Sequence, residues 1–409
     1  MIKILFIMPG IPLAFNYSGG ASRCAQNFLA LKSLGVELHV VRFHINQREK
    51  KVLDFERSSK TAQAALQYAR SWREVIVPAN QPKDRWEILQ RIFFDPMALE
   101  FPFYKSLAYQ LHLVIEETAP DLIWAEHSDA AAAIFHLSSH PIWVYSSTDL
   151  RYLIYRIRNK KANLYQKIIA PIRRKVEIKI SQSANFVVTG SITEADKLRH
   201  IGCKTVSVIP MAGPSFPEIT LKDFPFPDVK LIHLGSLETT ANRDGLSTYL
   251  SKAHLKTLQL CAENNTSIQL VIIGDSSQAK PPLNKLLLQK NIVLAGYISD
   301  LSSILRPFDI AILPYTHDSG YRTKIPLLMG SAQVIVATRA AVAGSLLPGM
   351  EDVCILLDRV EEFPQKIAWL SMHPDERRRR GEASRTFAKR YFSLDAVLPL
   401  YSKLLNQMI

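Results

Sequence analysis

Short apolar runs alternate with helix-length segments from one end of this 409-residue chain to the other. In the first half the runs fall at residues 2–8, 36–43, 74–78, 121–126, 142–147, 185–190 and 205–210. In the second half they fall at 230–236, 268–274, 291–296, 309–314, 334–338 and 354–358. Most are continuous in Val, Ile and Leu, without period-two alternation. A strand reads that way when helices cover both faces of a parallel sheet. The repeated strand–helix order therefore predicts an α/β chain with doubly wound sheets. The length exceeds one typical core and predicts two domains of about 150–200 residues each.

Local signals punctuate the helices. Residues 21–34 place Cys24, Phe28 and Leu31 on one face and stop at Gly35. Ser191-Ile192-Thr193-Glu194 has the spacing of a capping box, and Ser128 and Ser299 are expected N-caps. Pro214, Pro217, Pro225 and Pro227 make 211–229 the expected stiff connector. The expected division is 1–212, then 213–393, with a last helix in 394–409 crossing back to the first domain.

A hydrophobic fraction of 47% and a charged fraction of 21% fit an ordinary globular protein. Cys24, Cys203, Cys261 and Cys354 lie too far apart to suggest a disulfide framework or a zinc site. The apolar N-terminus is short and broken by Pro9 and Gly10, so it is expected to be a buried first strand. No run approaches the roughly 18 apolar residues of a membrane span. A cytoplasmic protein is expected, with attachment to the inner face of a membrane left open.

The formal charge of +13 is concentrated. Between 150 and 180, Arg151, Arg156, Arg158, Lys160, Lys161, Lys167, Arg173, Arg174, Lys175 and Lys179 face the single acid Glu177. This segment is either a solvated helical face or a surface for anionic lipid, with Leu153, Ile154, Ile157, Leu164, Ile168 and Ile169 interleaved. No nucleic-acid recognition module accompanies the charge, so nucleic acid is not the expected partner. The run Arg377-Arg378-Arg379-Arg380 is expected to be a solvated face.

The densest chemistry is the stretch Pro314-Tyr315-Thr316-His317-Asp318-Ser319-Gly320-Tyr321-Arg322-Thr323-Lys324, between two apolar runs. The carboxyl end of a parallel strand is where open α/β sheets bind ligands. Arg322 and Lys324 supply fixed charge for a phosphate, and Gly320 permits close backbone approach. The segment resembles the Gly-x-Arg-x-Lys donor motif of bacterial family 4 glycosyltransferases, which implies a donor-binding role for Ser319, Gly320, Tyr321, Arg322 and Lys324.

Further segments are similar to the same family. Leu234-Gly235-Ser236-Leu237 with Ala241-Asn242-Arg243-Asp244-Gly245 resembles its Gly-Ser-Leu…Pro-Asn…Asp segment. The resemblance implies that Gly235, Ser236 and Asn242 hold the pyrophosphate, with Arg322 and Lys324 as the main cations. Tyr17-Ser18-Gly19-Gly20 matches a Gly-Gly loop, implying that Gly19 and Gly20 face donor or acceptor; a plain turn is the alternative. Pro120-Asp121-Leu122-Ile123-Trp124-Ala125-Glu126-His127 resembles the family's fourth strand, whose histidine lies by the reacting centre. Either that or a purely structural role remains for His127. In Ser147-Thr148-Asp149-Leu150-Arg151, Asp149 would orient an acceptor hydroxyl or serve as a helix N-cap.

The family's fold is GT-B: two Rossmann-like doubly wound parallel-sheet domains facing across a cleft, acceptor in the first and nucleotide sugar in the second. The implied activity is retaining, metal-independent transfer of a sugar from a UDP- or GDP-sugar, without a cofactor. The implied acceptor is a lipid-linked sugar, a saccharide or a small molecule. Two departures stand out: the family's paired glutamates are here Ser319 and Leu327, and its Pro-Asn-Gly is here Pro210-Met211-Ala212-Gly213. The alternative function is therefore a non-catalytic GT-B-fold binding protein.

Overall fold

The computed structural model describes residues 1–15, 17–152, 164–213, 216, 228–277, 279–298, 300–317 and 321–408. They form two compact units, one of Met1–Met211 with Val397–Ile409 and one of Ala212–Ala396.

In the first unit, strands β1 (Lys3–Pro9), β2 (Glu37–Ile45), β3 (Ser71–Val77), β4 (Leu122–Glu126), β5 (Ile142–Ser147), β6 (Phe186–Thr189) and β7 (Val206–Val208) form one sheet. Its order is β3-β2-β1-β4-β5-β6-β7, and every pairing is parallel. Leu5 and Ile7 enter a core with Leu107, Leu111 and Ile134. Phe6 points to the other face and meets Phe28 edge-on at 5.8 Å. Both faces are covered, which is why the sequence runs show no alternation.

In the second unit, β8 (Asp228–Leu234), β9 (Ser267–Ile273), β10 (Ile292–Gly296), β11 (Ile310–Leu313), β12 (Val334–Thr338) and β13 (Ile355–Leu357) are ordered β10-β9-β8-β11-β12-β13, again all parallel. Here the two faces separate cleanly. Ile310, Ile312, Val334 and Val336 enter one core, while Ala311, Leu313, Ile335 and Ala337 enter another. Both sheets thus reverse direction next to their first strand, between β1 and β4 and between β8 and β11. Such a switch point opens a crevice at the strand carboxyl ends.

Several local expectations change. The first helix is Gly19–Ser33, so both glycines lie inside its first turn, and Gly35 follows with φ 73°. Ser128 is not an N-cap: the helix His127–His136 starts one residue earlier, with Glu126 at the cap position. Ser191 does cap its helix, accepting from the Glu194 amide, but Glu194 does not return the bond to Ser191. Its carboxylate is used elsewhere, by the Leu150 amide and the Thr189 hydroxyl. Arg377 is no solvated cation; it is buried and donates to the carbonyls of Leu370 (2.5 Å) and Ser371 (3.0 Å). Those carbonyls end the helix Phe363–Met372, where the His373 amide also donates to Leu370 at 3.2 Å, and the guanidinium completes the end of the helix. Ser299 and most of the proline-rich 211–229 lie outside the described residues, as do Leu153, Ile154 and Ile157. Ile169 is core while Ile168 is 51% exposed.

Candidate functional site

At the first unit's switch point, β1 leads to Gly19 and Gly20 and β4 leads directly into His127. Ser18 caps the helix Gly19–Ser33, accepting from the Ala21 amide at 3.1 Å. A methyl group on Gly20 would lie 2.7 Å from Cε1 of His127, so this glycine is required by the ring beside it. His127 itself has φ 65°, a left-handed backbone that costs energy in a non-glycine residue. Its Nδ1 lies 3.0 Å from the Thr148 hydroxyl. Burial lowers its pKa, with Arg151 acting in the same direction and Glu126 and Asp129 opposing. His127 therefore favours the neutral imidazole.

Beneath the strand end sits a buried polar network. Asn27 donates to Glu126 at 2.6 Å and to Ser146 at 2.9 Å, and the Trp124 indole donates to Glu126 at 2.7 Å. The hydroxyl of Tyr401, from the last helix, donates to Asn27. These bonds tie the peptide before His127 to three separate elements.

Gly20, His127, Thr148, Asp149 and Arg151 line a cavity of about 590 Å³, together with Glu100, Phe101, Asp129, Arg173 and Glu177. Asp149 is exposed there. The amides of Arg151 and Tyr152 donate to Glu177, each at 2.8 Å, and that of Leu150 to Glu194 at 3.3 Å. Burial raises Glu177 to a pKa of about 7 despite those bonds. Glu194 rises to about 8, through burial first and the charge of Asp149 second. Arg151 pairs with Asp129 at 3.0 Å and with Glu100 at 3.4 Å, and Arg173 pairs with Glu100 at 2.7 Å. The cavity's guanidiniums are thus already matched by carboxylates, which suits a hydroxyl-rich ligand better than an anion.

At the second unit's switch point, β8 runs into Gly235 and Ser236, and β11 runs into Pro314 and Tyr315. Gly235 has φ 135°, and a methyl there would lie 2.5 Å from Asn242 Nδ2 and 2.6 Å from Lys324 Nζ. The structure thus brings Gly235, Ser236, Asn242 and Lys324 together. Asn242 donates to the Ser236 carbonyl at 2.7 Å. Lys324 donates to Asn242 Oδ1 at 2.8 Å, to the Tyr315 hydroxyl at 2.7 Å and to the Leu234 carbonyl, one acceptor for each ammonium hydrogen. Arg322 lies over the Tyr315 ring at 4.8 Å, and its amide donates to the Ser345 hydroxyl at 3.0 Å. Lys324 is not the fixed charge expected of it. Burial, and then the neighbouring Arg322, bring its pKa down to about 7.

Tyr321 is half-buried against the core, and Leu327 likewise packs there with its edge exposed. Ser319 and Gly320 lie outside the described residues. Tyr315 had no role in the sequence reading, although it centres the cluster: its hydroxyl donates to Asn242 at 3.0 Å and its ring carries both cations. Its place directly after a buried strand was the available signal. Among the described residues, no group of His, Cys, Asp and Glu is arranged to hold a metal. No helix among them is long and apolar enough to cross a membrane.

Residues 228–373, most of the second unit, match the family described as glycosyl transferases group 1. No curated protein matches the chain in sequence. Among solved structures, sucrose-phosphate synthase from Thermosynechococcus elongatus is 13% identical, with a TM-score of 0.65, covering 100% of this chain and 99% of that one. Anabaena HepE in complex with UDP and glucose is 12% identical, TM-score 0.63, with 100% of both chains covered. A mutant of S. aureus TarM, in complex with Fondaparinux, alpha-GlcNAc-glycerol and UDP, is 11% identical, TM-score 0.66, with 100% of both covered. These structures share with this chain the GT-B fold of two parallel-sheet α/β domains, and the family match over the second unit supports a glycosyltransferase.

Proposed function

We propose that the protein moves a hexosyl group from a nucleotide sugar to an acceptor hydroxyl, with retention of anomeric configuration and without a metal ion. The observation that carries this reading is the cluster of Gly235, Ser236, Asn242, Arg322 and Lys324 at the β8–β11 switch point. A departing nucleoside diphosphate accumulates negative charge. Two cations and the Ser236 amide, fixed before the reaction, stabilise that charge without reorganising. Lys324 gains its proton fully when the diphosphate arrives, since a phosphate oxygen favours the ammonium form.

The first unit holds the acceptor in this reading. His127 presents a neutral ring beside Gly20, and Asp149 orients the attacking hydroxyl from the cavity rim. The matched guanidiniums favour a saccharide, a lipid-linked sugar or another polyol as acceptor. UDP is the first donor nucleotide to test, because it is present in the HepE and TarM complexes, with GDP the alternative. The reaction is assigned to the cytoplasm. Leu327 motivates the rival reading, a GT-B-fold protein that binds a nucleotide without turnover.

Release of UDP or GDP from a panel of nucleotide sugars, with chelator present throughout, tests the proposal. Turnover in chelator supports it. Nucleotide binding without turnover on any donor–acceptor pair selects the non-catalytic alternative, and absence of binding removes both. The anomer of the product, read by proton coupling, decides retention.

A further inference from the structure

The helix Arg85–Phe94 has no buried residue. Trp86, Leu89 and Phe93 fall at i, i+3 and i+7, one stripe of a helix, and are 68%, 45% and 75% exposed. Phe94 beside them is 87% exposed. Single apolar side chains on a surface are ordinary, but a contiguous aromatic stripe is not. Ile88 and Ile92, on the opposite side, are half-buried, so the helix is apolar toward the protein and toward the medium. Its conformation is secured locally: Asp84 caps the Glu87 amide at 2.8 Å, and Glu87 pairs with Arg91 at 2.7 Å.

Charge next to the stripe indicates what covers it. The short helix Pro96–Glu100 follows directly and packs on the helix Leu164–Ser183, with Arg173 and Glu100 paired at 2.7 Å. The exposed positions of that second helix include Lys167, Ile168, Arg174, Lys175 and Lys179. Its one acid, Glu177, is buried and bonded to amides. One short helix therefore joins an aromatic stripe to a cationic face that exposes no carboxylate among its described residues. A second copy of the chain would set these cationic faces against each other.

We propose that helix Arg85–Phe94 lies in the headgroup layer of an anionic lipid bilayer, with the exposed cations of Leu164–Ser183 facing the lipid phosphates. Trp and Phe partition into that layer, and surface lysines are attracted to anionic lipid. The proposal stands apart from glycosyl transfer.

Vesicles of phosphatidylcholine alone, and with one quarter phosphatidylglycerol, test it by co-sedimentation of the full chain. The protein is expected to sediment with the anionic vesicles and to be released by salt. Combined Trp86→Ser, Phe93→Ser and Phe94→Ser is expected to lower partitioning at least about tenfold. Lys175→Glu with Lys179→Glu is expected to lower it by about fivefold or more, and on anionic vesicles alone. All five side chains are exposed, and circular dichroism checks that each variant folds; Phe94→Ser alone is the fallback. Indifference of the wild type to both vesicles, or equal partitioning of the folded serine variant, overturns the proposal. So does a wild-type dimer in light scattering that the serine variant dissociates.

Discussion

The two switch points solve one structural problem with opposite charges. In the first unit, the loop that follows β5 is held by two buried carboxylates, Glu177 and Glu194, which accept from three consecutive amides. In the second, the ends of β8 and β11 are held by a buried ammonium, Lys324, which donates to a carbonyl, an amide oxygen and a phenol. Each choice determines what the crevice can accept. Glu177 and Glu194 already occupy the amides that would greet an anion, while Asp129 and Glu100 balance Arg151 and Arg173, which leaves a cavity suited to hydroxyls. A lysine ringed by neutral oxygens, its pKa brought down to about 7, takes up its full charge against a diphosphate.

The largest expected effect comes from removing the ammonium. Lys324→Met should lower nucleoside diphosphate affinity by about tenfold to a hundredfold, since a charge-assisted bond contributes roughly 1.5–3 kcal/mol. Folding should also weaken by about 1–3 kcal/mol, because the Leu234 carbonyl and Asn242 lose a donor. His127→Ala should leave nucleotide affinity unchanged. Calorimetric titration of UDP and GDP into both variants checks this; equal losses would break the comparison between the units. The wild type should show a pH signature as well. With Lys324 near pKa 7 when free and raised by the bound phosphate, affinity should be flat below about pH 7 and fall above it. The folded free protein also binds fewer protons than the unfolded chain between about 7 and 10.5, so this group makes stability rise with pH across that window.

The first unit should show the opposite slope. Glu177 is raised from 4.5 to about 7, so the folded chain holds its proton longer than the unfolded chain. Its contribution is fully present below about 4.5 and is lost as pH rises through 7, a full change of about 3–4 kcal/mol. Glu194 extends the loss toward pH 8. Glu177→Gln should flatten that part of the curve, whatever it does to stability at a single pH. Chemical denaturation from pH 4 to 9 measures it, and an unchanged slope would mean the carboxylate is not held as described.

Arg322→Ala is a smaller perturbation. Arg322 is half-buried and stacked on Tyr315, so its loss should weaken diphosphate binding about tenfold with little change in folding. If affinity is retained in the folded variant, the cation belongs to the Tyr315 stack alone.

What the sequence disclosed follows from how local each signal is. Buried parallel strands are continuous apolar runs, so their number and type can be read residue by residue; their ends shift by one to three residues where pairing outruns apolarity, as at β3. The grouping of Gly235, Ser236, Asn242 and Lys324 was legible because these residues lie in the segments that follow β8 and β11. The clamp on the first unit was not. Glu177 reads as a lone acid among cations, and Glu194 as half of a capping box; the amides they hold are 25 to 44 residues away. Arg377 is hidden in the same way inside a run of four arginines, three of which behave as surface charges would.

The mildest test concerns Leu327, where relatives of the proposed family place a ribose-binding glutamate. Leu327 is half-buried against the second unit's core, one turn beyond Lys324 on the helix Lys324–Gly330. A glutamate there keeps its edge in solvent, so the carboxylate need not be desolvated fully, and the lost apolar contact should cost about 1 kcal/mol. The two uses of the position then separate. If the donor ribose lies beside residue 327, Leu327→Glu should tighten UDP or GDP by a few fold while deoxyribose analogues gain nothing. If Ser345 and the backbone around Gly344 receive the ribose instead, affinity should stay level and only the melting temperature should drop. Titrating ribo- and deoxyribo-nucleotides into the same variant distinguishes the outcomes. A tenfold loss for both would mean that the new carboxylate acts on the charge of Lys324, and so on the diphosphate, rather than on the ribose.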